Sequence, residues 1–276
     1  MDIVNHFCKI LTIIKRSNYF LLLLTVMISS CASPNRQHLL TDSQKQQEKN
    51  SKKRQRSIIV HYTGFTVSYN PDVLQPDWVS YTLTAEQVEQ TKHTPKIPRY
   101  FMPDPNLNLP QATNEDYSGS GWVRGHMARR QDMKWSEQAV MESDYFTNIC
   151  PQNKEMNNGI WHQIENMARR VAETYDSVCI VCGPVFTTSP TQTIGVHKVC
   201  IPDYYFKAFL IKHAGVFHTI AFLCPNNSNV VTIDSVVCSV NVVESASGLD
   251  LFEFLDDYVE ESVESRFDLD MFLKTN

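Results

Sequence analysis

The stretch that decides the fold of this chain is TNICPQNKEMNNGIWHQIENMAR, residues 147–169. Its second half and the residues after it repeat apolar side chains at intervals of four, three and four, at Ile160, Ile164, Met167 and Val171. That spacing places one buried stripe on a helix. It predicts a helix from about residue 157 to about residue 175.

Polar residues follow a second stripe of the same predicted helix. Asn157, Glu165 and Arg169 are separated by eight and four residues, so an amide, a carboxylate and a guanidinium face one region. Taken alone, the pattern is also explained by helix capping at Asn157 and an i,i+4 ion pair between Glu165 and Arg169. The choice between a structural and a chemical role therefore needs further residues.

A second segment upstream carries a candidate base. Residues 123–127 are Val-Arg-Gly-His-Met, in which Gly125 allows close backbone approach and His126 titrates near neutrality. A lone histidine is more often structural than catalytic, and this chain has nine. His126 alone therefore decides nothing.

The remaining pattern predicts an α+β fold. Alternating or continuous apolar runs predict strands at residues 58–69, 78–83, 178–186, 219–223 and 230–243. Helical spacing returns at Leu251, Phe254, Leu255 and Tyr258. Because strands and helices mix without a regular βαβ repeat, α+β is favoured.

Composition excludes several classes of protein. The chain has 276 residues, 42% hydrophobic and 20% charged, which excludes pervasive disorder and a polytopic membrane protein. The formal net charge is −5, and the tail from Glu244 holds ten acidic and two basic residues. The charge of the chain gives no sign of a nucleic-acid partner, because no large part of the folded domain is strongly basic. A case for such a partner therefore has to rest on a specific site.

The N-terminus predicts export and lipid attachment. Basic residues precede the apolar run at 19–28, which ends in small residues before Cys31. The run is far shorter than the roughly 20 residues of a membrane-spanning helix, so residues 1–31 are typical of a signal peptide. They resemble a bacterial lipoprotein signal with Cys31 as the lipidated residue; an ordinary signal peptide with an incidental cysteine is the alternative.

This interpretation predicts three parts of the chain and a location. After the signal segment, the polar residues 32–57 are typical of a flexible linker, and residues 58–276 form the folded domain. Its basic cluster at residues 52–56 is explained by a solvated linker, although it could contact phosphate, lipid or nucleic acid. The expected location is the bacterial cell envelope, with the domain anchored to a membrane through Cys31.

Six cysteines follow Cys31, and an exported protein can form disulfides. Cys179 and Cys182 have the spacing of a redox or zinc pair, but they lie in an apolar run that predicts a buried strand. Residues three apart on a strand lie about 10 Å apart on opposite faces, so a disulfide between them is out of reach. Buried thiols are the favoured interpretation.

Several ordered motifs together resemble one family. Arg124-Gly125-His126-Met127, the nine-residue step from Asn148 to Asn157, and the run through Glu165 to Arg169 resemble the DNA/RNA non-specific endonucleases. This is the ββα-metal (His-Me finger) group that includes the endonuclease G-like nucleases. The similarity covers roughly residues 62–253. It implies a central mixed or antiparallel sheet flanked by helices.

The resemblance also implies a catalytic set. His126 corresponds to the general base that activates water, and Asn157 to the protein ligand of one Mg²⁺, for which Mn²⁺ can substitute. Glu165 corresponds to the acid that orients the metal's waters. Arg99, Arg124 and Arg169 correspond to arginines that face phosphate. Asn148 corresponds to an asparagine that positions the histidine or the phosphate.

The implied activity is hydrolysis of DNA and RNA to 5′-phosphate products. One departure is Val123, where the family tetrapeptide usually begins with Asp, which puts the orientation of His126 in doubt. Two alternatives remain: an inactive nucleic-acid-binding envelope lipoprotein on the same fold, and a phosphodiesterase for small substrates. The oligomeric state is open, with a homodimer among the options.

Overall fold

The computed structural model describes residues 57–94 and 96–274. The predicted signal segment and all but the last residue of the predicted linker lie outside these residues, so both stay predictions. None of the helices in the described residues has the length and apolar character needed to span a membrane.

Strands and helices alternate irregularly along the chain. The strands are β1 Ile58–His61, β2 Thr66–Asn70, β3 Gln75–Thr84, β4 Val123–His126, β5 Ile149–Gln152, β6 Ser177–Val185, β7 Thr193–Ile194, β8 Val199–Cys200, β9 Tyr204–His213, β10 Val216–Pro225 and β11 Val237–Cys238. The α-helices are α1 Ala85–His93, α2 Asn114–Tyr117, α3 Glu137–Ser143, α4 Lys154–Met156, α5 His162–Tyr175, α6 Ile233–Val236, α7 Val240–Ser247, α8 Asp257–Glu264 and α9 Leu269–Leu273. Two 3₁₀ turns span Arg130–Met133 and Phe146–Asn148, and a π-helical turn spans Asn157–Trp161.

Seven strands form the main sheet, in the order β1-β2-β3-β6-β9-β10-β11. Every neighbouring pair in it is antiparallel. Strand β6 is buried along almost its whole length, as its continuous apolar sequence requires of a central strand. The α+β prediction is confirmed, and the sheet is the antiparallel one of the two expected forms.

Helix α5 packs on this sheet through the predicted stripe. Ile160, Ile164, Met167 and Val171 are all buried, and they join the side chains of the sheet in one core. A smaller second core contains Tyr117, Phe146 and Ile149. The β4–β5 ladder lies between the two, because Ile149 packs in the second core and Cys150, the next residue, packs in the main one.

Three sequence predictions of secondary structure are wrong. Residues 58–69 are not one strand but most of an antiparallel pair, β1 and β2, with residues 62–65 between them. The valine-rich segment 230–243 is not one strand but helix α6, the short strand β11 and the start of helix α7. Its buried residues Val236, Val240 and Val243 have helical spacing, and Thr232 caps α6. In the tail, Leu251 and Leu255 are buried in turns, and helix α8 begins only at Asp257.

Four cysteines of the described residues, Cys150, Cys182, Cys224 and Cys238, are free thiols. Cys179 and Cys182 lie in β6 and are buried, which confirms the predicted strand. Burial raises the pKa of the Cys182 thiol to about 11 and that of Cys224 to about 12. The pKa of the Cys150 thiol is raised well above its usual value for the same reason.

A carboxylate is buried where the acidic tail packs on the sheet. Glu264 at the end of α8 is 3% exposed, and its Oε1 atom has no hydrogen-bond partner among the described residues. Burial, together with the nearby carboxylates of Glu244, Glu260 and Asp250, raises the pKa of Glu264 to about 8. The folded state therefore holds this proton more tightly than the unfolded chain does.

We expect Glu264→Gln to stabilise the protein at alkaline pH. A raised folded-state pKa favours the fold at low pH, and the benefit is lost as pH rises from about 4.5 through about 8. A glutamine amide at this position does not ionise, so the variant does not lose this stability as pH rises. Thermal melts should show a Tm gain of about 2–4 °C at pH 8.5, equivalent to about 1 kcal/mol, and almost none at pH 5.

The matched control is Glu261→Gln, which changes an exposed carboxylate on the same helix. Its melting curve should follow that of the wild type at both pH values. An equal gain for Glu264→Gln at pH 5 and pH 8.5 would contradict the expected titration.

Candidate active site

A ββα arrangement carries the candidate residues. Strands β4 and β5 pair antiparallel, with Gly125 opposite Cys150 and His126 opposite Ile149. The chain then passes directly from β5 into α4, the π-helical turn and α5. The ladder thus places His126 at the end of β4. Strand β5 leads through α4 into the π-helical turn that begins at Asn157 and then into α5, which carries Glu165.

His126 is oriented by an aspartate that sequence reasoning missed. Its Nε2 atom lies 3.0 Å from Oδ1 of Asp144, and the side chains are 12% and 2% exposed. Burial opposes ionisation of Asp144, but hydrogen bonds from His126, the Tyr100 amide and Arg130 outweigh it, and the pKa of the carboxyl is lowered. An ionised carboxylate only accepts hydrogen bonds. The ring proton therefore lies on Nε2, and Nδ1 carries the free lone pair.

The imidazole is held in its neutral form. Burial, with Arg99 and Arg130 adding to it, lowers the pKa of His126 below its usual value, although Asp144 acts in the opposite direction. A neutral ring with Nδ1 unprotonated is the form that a general base needs at pH 7. The doubt raised by Val123 is answered here, because Asp144 supplies the polar partner that orients the ring.

Arg130, also missed from the sequence, fixes Asp144 in turn. Its Nε atom lies 3.0 Å from both carboxylate oxygens, and its Nη2 donates to the carbonyls of Ile97 and Pro98 at 3.1 and 2.8 Å. One guanidinium thus ties the histidine's partner to the segment that leads into Arg99. The only sequence signal was the Arg-Arg pair that closely follows His126.

Asn157 is oriented by Gln152 at the end of β5. The Asn157 Nδ2 group donates to Oε1 of Gln152, which directs the amide nitrogen towards protein. Among the described residues, no donor reaches the Asn157 Oδ1 atom, so that oxygen is the one left for a ligand. Gln152 packs against Gly125, where a Cβ atom would overlap its side chain. The predicted close approach at Gly125 is thereby explained.

Glu165 pairs with Arg129, not with Arg169. Arg129 Nε lies 3.3 Å from the Glu165 carboxylate, and both side chains are nearly buried. Burial raises the pKa of Glu165 to about 7, while Lys207 and Arg129 lower it and Asp132 raises it further. Arg129 follows His126 by three residues. The pair therefore links the base strand to the helix.

Arg99 and Arg124 lie over the same aromatic ring. Their guanidinium carbons are 5.8 and 5.6 Å from the centroid of Phe101, whose ring is 5.3 Å from that of His126. Arg124 also lies over Tyr117 and donates to the Asn114 carbonyl at 2.8 Å. The two guanidinium groups thus lie close to His126, and the phosphate contact that the resemblance implies for both arginines stays a prediction.

Asn148 has a positioning role. Its amide accepts from the Ala128 nitrogen at 2.8 Å and donates to the carbonyls of Ala128 and Ser143 at 3.0 and 2.8 Å. The side chain is fully buried. Of the two roles implied for Asn148, the geometry therefore favours holding the segment after His126 over contacting phosphate.

The structure does not bring Arg169 to the site. Its guanidinium donates to Asp132 at 2.9 Å and to Thr91 at 2.7 Å, which joins α5 to a 3₁₀ turn and to α1. Asp132 is wholly buried, so this ion pair is part of the protein interior. This corrects both the expected phosphate contact and the alternative ion pair with Glu165.

Comparisons with known proteins find a family model and several relatives that match this chain. The model of the DNA/RNA non-specific endonuclease family matches residues 42–258, well over half of the chain. Mitochondrial nuclease EXOG of Xenopus laevis is 34% identical over 71% of this chain and 58% of its own length. Mitochondrial endonuclease G of Bos taurus is 30% identical over 50% of this chain and 50% of its own length.

A solved structure shows the same fold. The EndoG/EndoGI complex contains a chain that matches with a TM-score of 0.65 and 24% identity, over 72% of this chain and 86% of that one. The chain belongs to the DNA/RNA non-specific endonuclease family, a family of metal-dependent nucleases. It spans little more than half the length of the first EXOG relatives that it matches.

The donor set fits a hard dication that keeps most of its waters. Among the described residues, no group of three or more His, Cys, Asp or Glu side chains could hold a metal ion. Mg²⁺ needs few protein ligands, because it dehydrates reluctantly and binds through one or two oxygens plus substrate phosphate. The Asn157 amide oxygen meets that requirement, and the Glu165 carboxylate lies on α5, the helix that follows the π-helical turn of Asn157.

We expect Gly125→Ala to lower nuclease turnover at least about tenfold, because the new methyl group displaces Gln152 and with it the Asn157 amide. Steady-state kinetics over a Mg²⁺ titration measure the effect. In a double-mutant cycle with Gln152→Ala, the combined loss should be no larger than the greater single loss. Additive losses would show that Gly125 does not act through Gln152.

Proposed function

We propose that this chain is a Mg²⁺-dependent endonuclease that hydrolyses the phosphodiester bonds of DNA and RNA with little sequence specificity. The observation that carries the proposal is the His126–Asp144 pair beside Arg99 and Arg124 on Phe101. Mere binding of nucleic acid needs cations, but it does not need a buried neutral base held by an ionised carboxylate.

His126 is the general base of the proposed reaction. The Nε2–H group of His126 donates a hydrogen bond to Asp144. The Nδ1 atom is then the one that accepts a proton from the water that attacks phosphorus. The resulting imidazolium is stabilised by the same carboxylate. Because the attacking oxygen comes from water, the reaction needs no 2′-hydroxyl, and both DNA and RNA are substrates. The expected products carry 5′-phosphates.

Guanidinium groups receive the phosphate. The Nε atom of Arg124 and the Nη1 atom of Arg129 are buried and have no hydrogen-bond partner among the described residues. Buried donors without acceptors are costly, and a phosphate supplies the missing oxygens. Arg99 is exposed beside His126 and adds a third positive charge.

Asn157 and Glu165 are the residues that would hold the metal and its surrounding water. A bound Mg²⁺ would stabilise the negative charge that develops on the phosphate and on the leaving alkoxide. An ionised Glu165 accepts hydrogen bonds from water with both carboxylate oxygens and carries the negative charge that favours a nearby cation, and its pKa is raised to about 7 by burial. Activity should therefore increase with pH through the neutral range.

The test is cleavage of supercoiled plasmid and of RNA, with and without Mg²⁺ and chelator. His126→Ala should lower the rate by about 10²–10⁴-fold, the usual contribution of a general base. His93→Ala, at an exposed histidine on α1, is the control and should keep wild-type activity. End-group analysis should find 5′-phosphates.

A second variant separates the metal from the base. Asn157→Ala should abolish turnover at ordinary Mg²⁺ while nucleic-acid binding, which rests on arginine–phosphate contacts, is largely kept and weakens with salt. Binding without any cleavage by the wild type would favour the inactive lipoprotein. Cleavage confined to small phosphodiesters would favour the alternative enzyme.

We also propose that the protein is a bacterial envelope lipoprotein. The proposal rests on the sequence before Cys31, which lies outside the described residues. If Cys31 carries the lipid, Cys31→Ser should move the protein from the membrane fraction to the soluble fraction of an expressing bacterium. Cys8→Ser, within the same signal segment, is the control. A Cys31→Ser protein that still needs detergent for extraction would disprove the anchor.

A further inference from the structure

A short hairpin carries an oriented histidine that the proposed chemistry does not use. Strands β7 and β8 pair antiparallel, and residues 195–198 connect them. In this connection the backbone amide of His197 donates to Oδ1 of Asp116 at 3.0 Å, and the ring Nδ1 atom lies 2.9 Å from Oδ2. The Asp116 side chain is 0% exposed and the His197 side chain is 48% exposed. A wholly buried carboxylate therefore holds a half-exposed histidine ring.

The carboxylate also fixes the tautomer of this ring. Burial opposes ionisation of Asp116, but hydrogen bonds from His197 and Thr113 outweigh it, and the pKa of the carboxyl is lowered. An ionised carboxylate only accepts hydrogen bonds, so the Nδ1 atom of His197 carries a proton. Among the described residues, the hydrogen bonds of the ring are all made by Nδ1. The Nε2 atom is therefore left for a ligand.

The hairpin is held firmly in place. Its strand residues Ile194 and Val199 are buried in the second core. Gly195 has a φ of +67° and packs so closely on Asp116 that a Cβ atom would overlap this side chain. The position of the His197 ring is thus set by packing as well as by hydrogen bonds.

Helix α2 connects the hairpin to the candidate active site. Asp116 holds the hairpin, and the next residue, Tyr117, lies under Arg124, whose guanidinium carbon is 5.3 Å from the ring centroid. Arg124 shares a second aromatic ring with His126. A four-residue helix is about 6 Å long, so the hairpin tip lies within a few nucleotides of His126 along a bound strand.

The tip offers the donors that phosphate accepts. Lys198 follows His197 and is exposed, and its ammonium group is a point charge that suits phosphate. The His197 ring donates from Nε2 once this nitrogen takes a proton from solvent, which a histidine does near neutrality. The imidazolium then lies between the phosphate and the Asp116 carboxylate, with an anion at each nitrogen.

We propose that the hairpin tip, residues 195–198, is a second phosphate-binding element of the nuclease, in which His197 Nε2 and Lys198 contact a backbone phosphate of nucleic acid away from the cleaved bond. Asp116 touches no substrate and is the positioning residue of this element. The inference rests on the proposed function and deepens it, because it names the part of the enzyme that holds the strand beyond the site of cleavage.

The first test is His197→Asn. The asparagine Nδ2 group replaces the ring Nδ1 and still donates to Asp116, but no atom replaces Nε2, so the Tm should stay within about 2 °C of the wild type. Binding is measured in chelator with a labelled single strand of about 12 nucleotides, a usual site size, at pH 5.5, below the usual pKa of histidine. The Kd should increase about fivefold or more, because a charge-assisted hydrogen bond is lost.

The second test is Lys198→Asn, which decides the proposal if His197→Asn lowers the Tm. Lys198 has a φ of +61°, a conformation that asparagine tolerates better than most residues. The slope of log K against log salt for the same strand should become shallower by about 0.7, the value of one phosphate contact. At pH 7 the KM for this strand should increase about fivefold while kcat stays within about twofold, because the contact is equal in the ground and transition states.

His93→Asn and Lys92→Asn are the matched controls. Both residues are exposed on α1, and both contact the carboxylate of Glu89. Their Kd values and salt slopes should equal those of the wild type.

Binding in chelator needs no turnover, so this inference and the proposed function fail separately. If the wild type cleaves no nucleic acid, the proposed function fails, and the Kd values and the salt slope still decide the role of the hairpin. A fall in kcat as large as the fall in kcat/KM would show that Lys198→Asn acts by disturbing Arg124, and it would overturn the proposal. An unchanged salt slope for Lys198→Asn would overturn it as well.

Discussion

The Asp144 carboxylate accepts hydrogen bonds from His126, from Arg130 and from the backbone amide of Tyr100, and much of the site depends on its remaining ionised. At 2% side-chain exposure, burial alone would favour the protonated acid. The three donors reverse that preference, so the carboxylate and its donors stabilise one another. Arg130 also donates to the carbonyls of Ile97 and Pro98. It therefore holds both Asp144, the partner of His126, and the segment that leads into Arg99.

Local charge and total charge have opposite signs in this protein. The chain as a whole carries −5, yet Arg99, Arg124, Arg129 and Arg130 all gather around His126. Asp144 and Glu165 pair with two of them, and the other two lie over Phe101 beside His126. Since screening is weak over a few ångströms, these local groups, and not the total charge, would govern phosphate binding at the proposed site. The acidic tail then disfavours non-specific contact elsewhere on the surface.

Sequence periodicity was sufficient for helix α5 and strand β6, because both bury their apolar residues in regular patterns. It did not find β9, which lies beside β6 in the sheet. It failed at residues 230–243, where valines favour a strand but the buried ones have helical spacing. The residues proposed as base and metal ligand were identified through ordered motifs along the chain, since His126, Asn157 and Glu165 have the spacings that carry the family resemblance.

The partners of those residues were not predictable in the same way. Asp144 reaches His126 only in the folded chain, and it lies in a segment with no motif of its own. Gln152 lies inside the motif stretch, but its contact with Gly125 across the β4–β5 ladder is also made only by folding. For Arg169 the motif was misleading. Its position in the motif suggested a contact with phosphate, but its guanidinium donates to the wholly buried Asp132 and is part of the protein interior.

The buried thiols have a consequence for where such a protein can work. Nucleophilic attack and oxidation both proceed through the thiolate, and a raised pKa leaves almost none of it at neutral pH. Cys150, Cys182 and Cys224 combine such pKa values with side chains closed to solvent. These three thiols are therefore poor nucleophiles and resist oxidation while the core stays folded. In an oxidising compartment they should stay reduced as long as the domain keeps its fold.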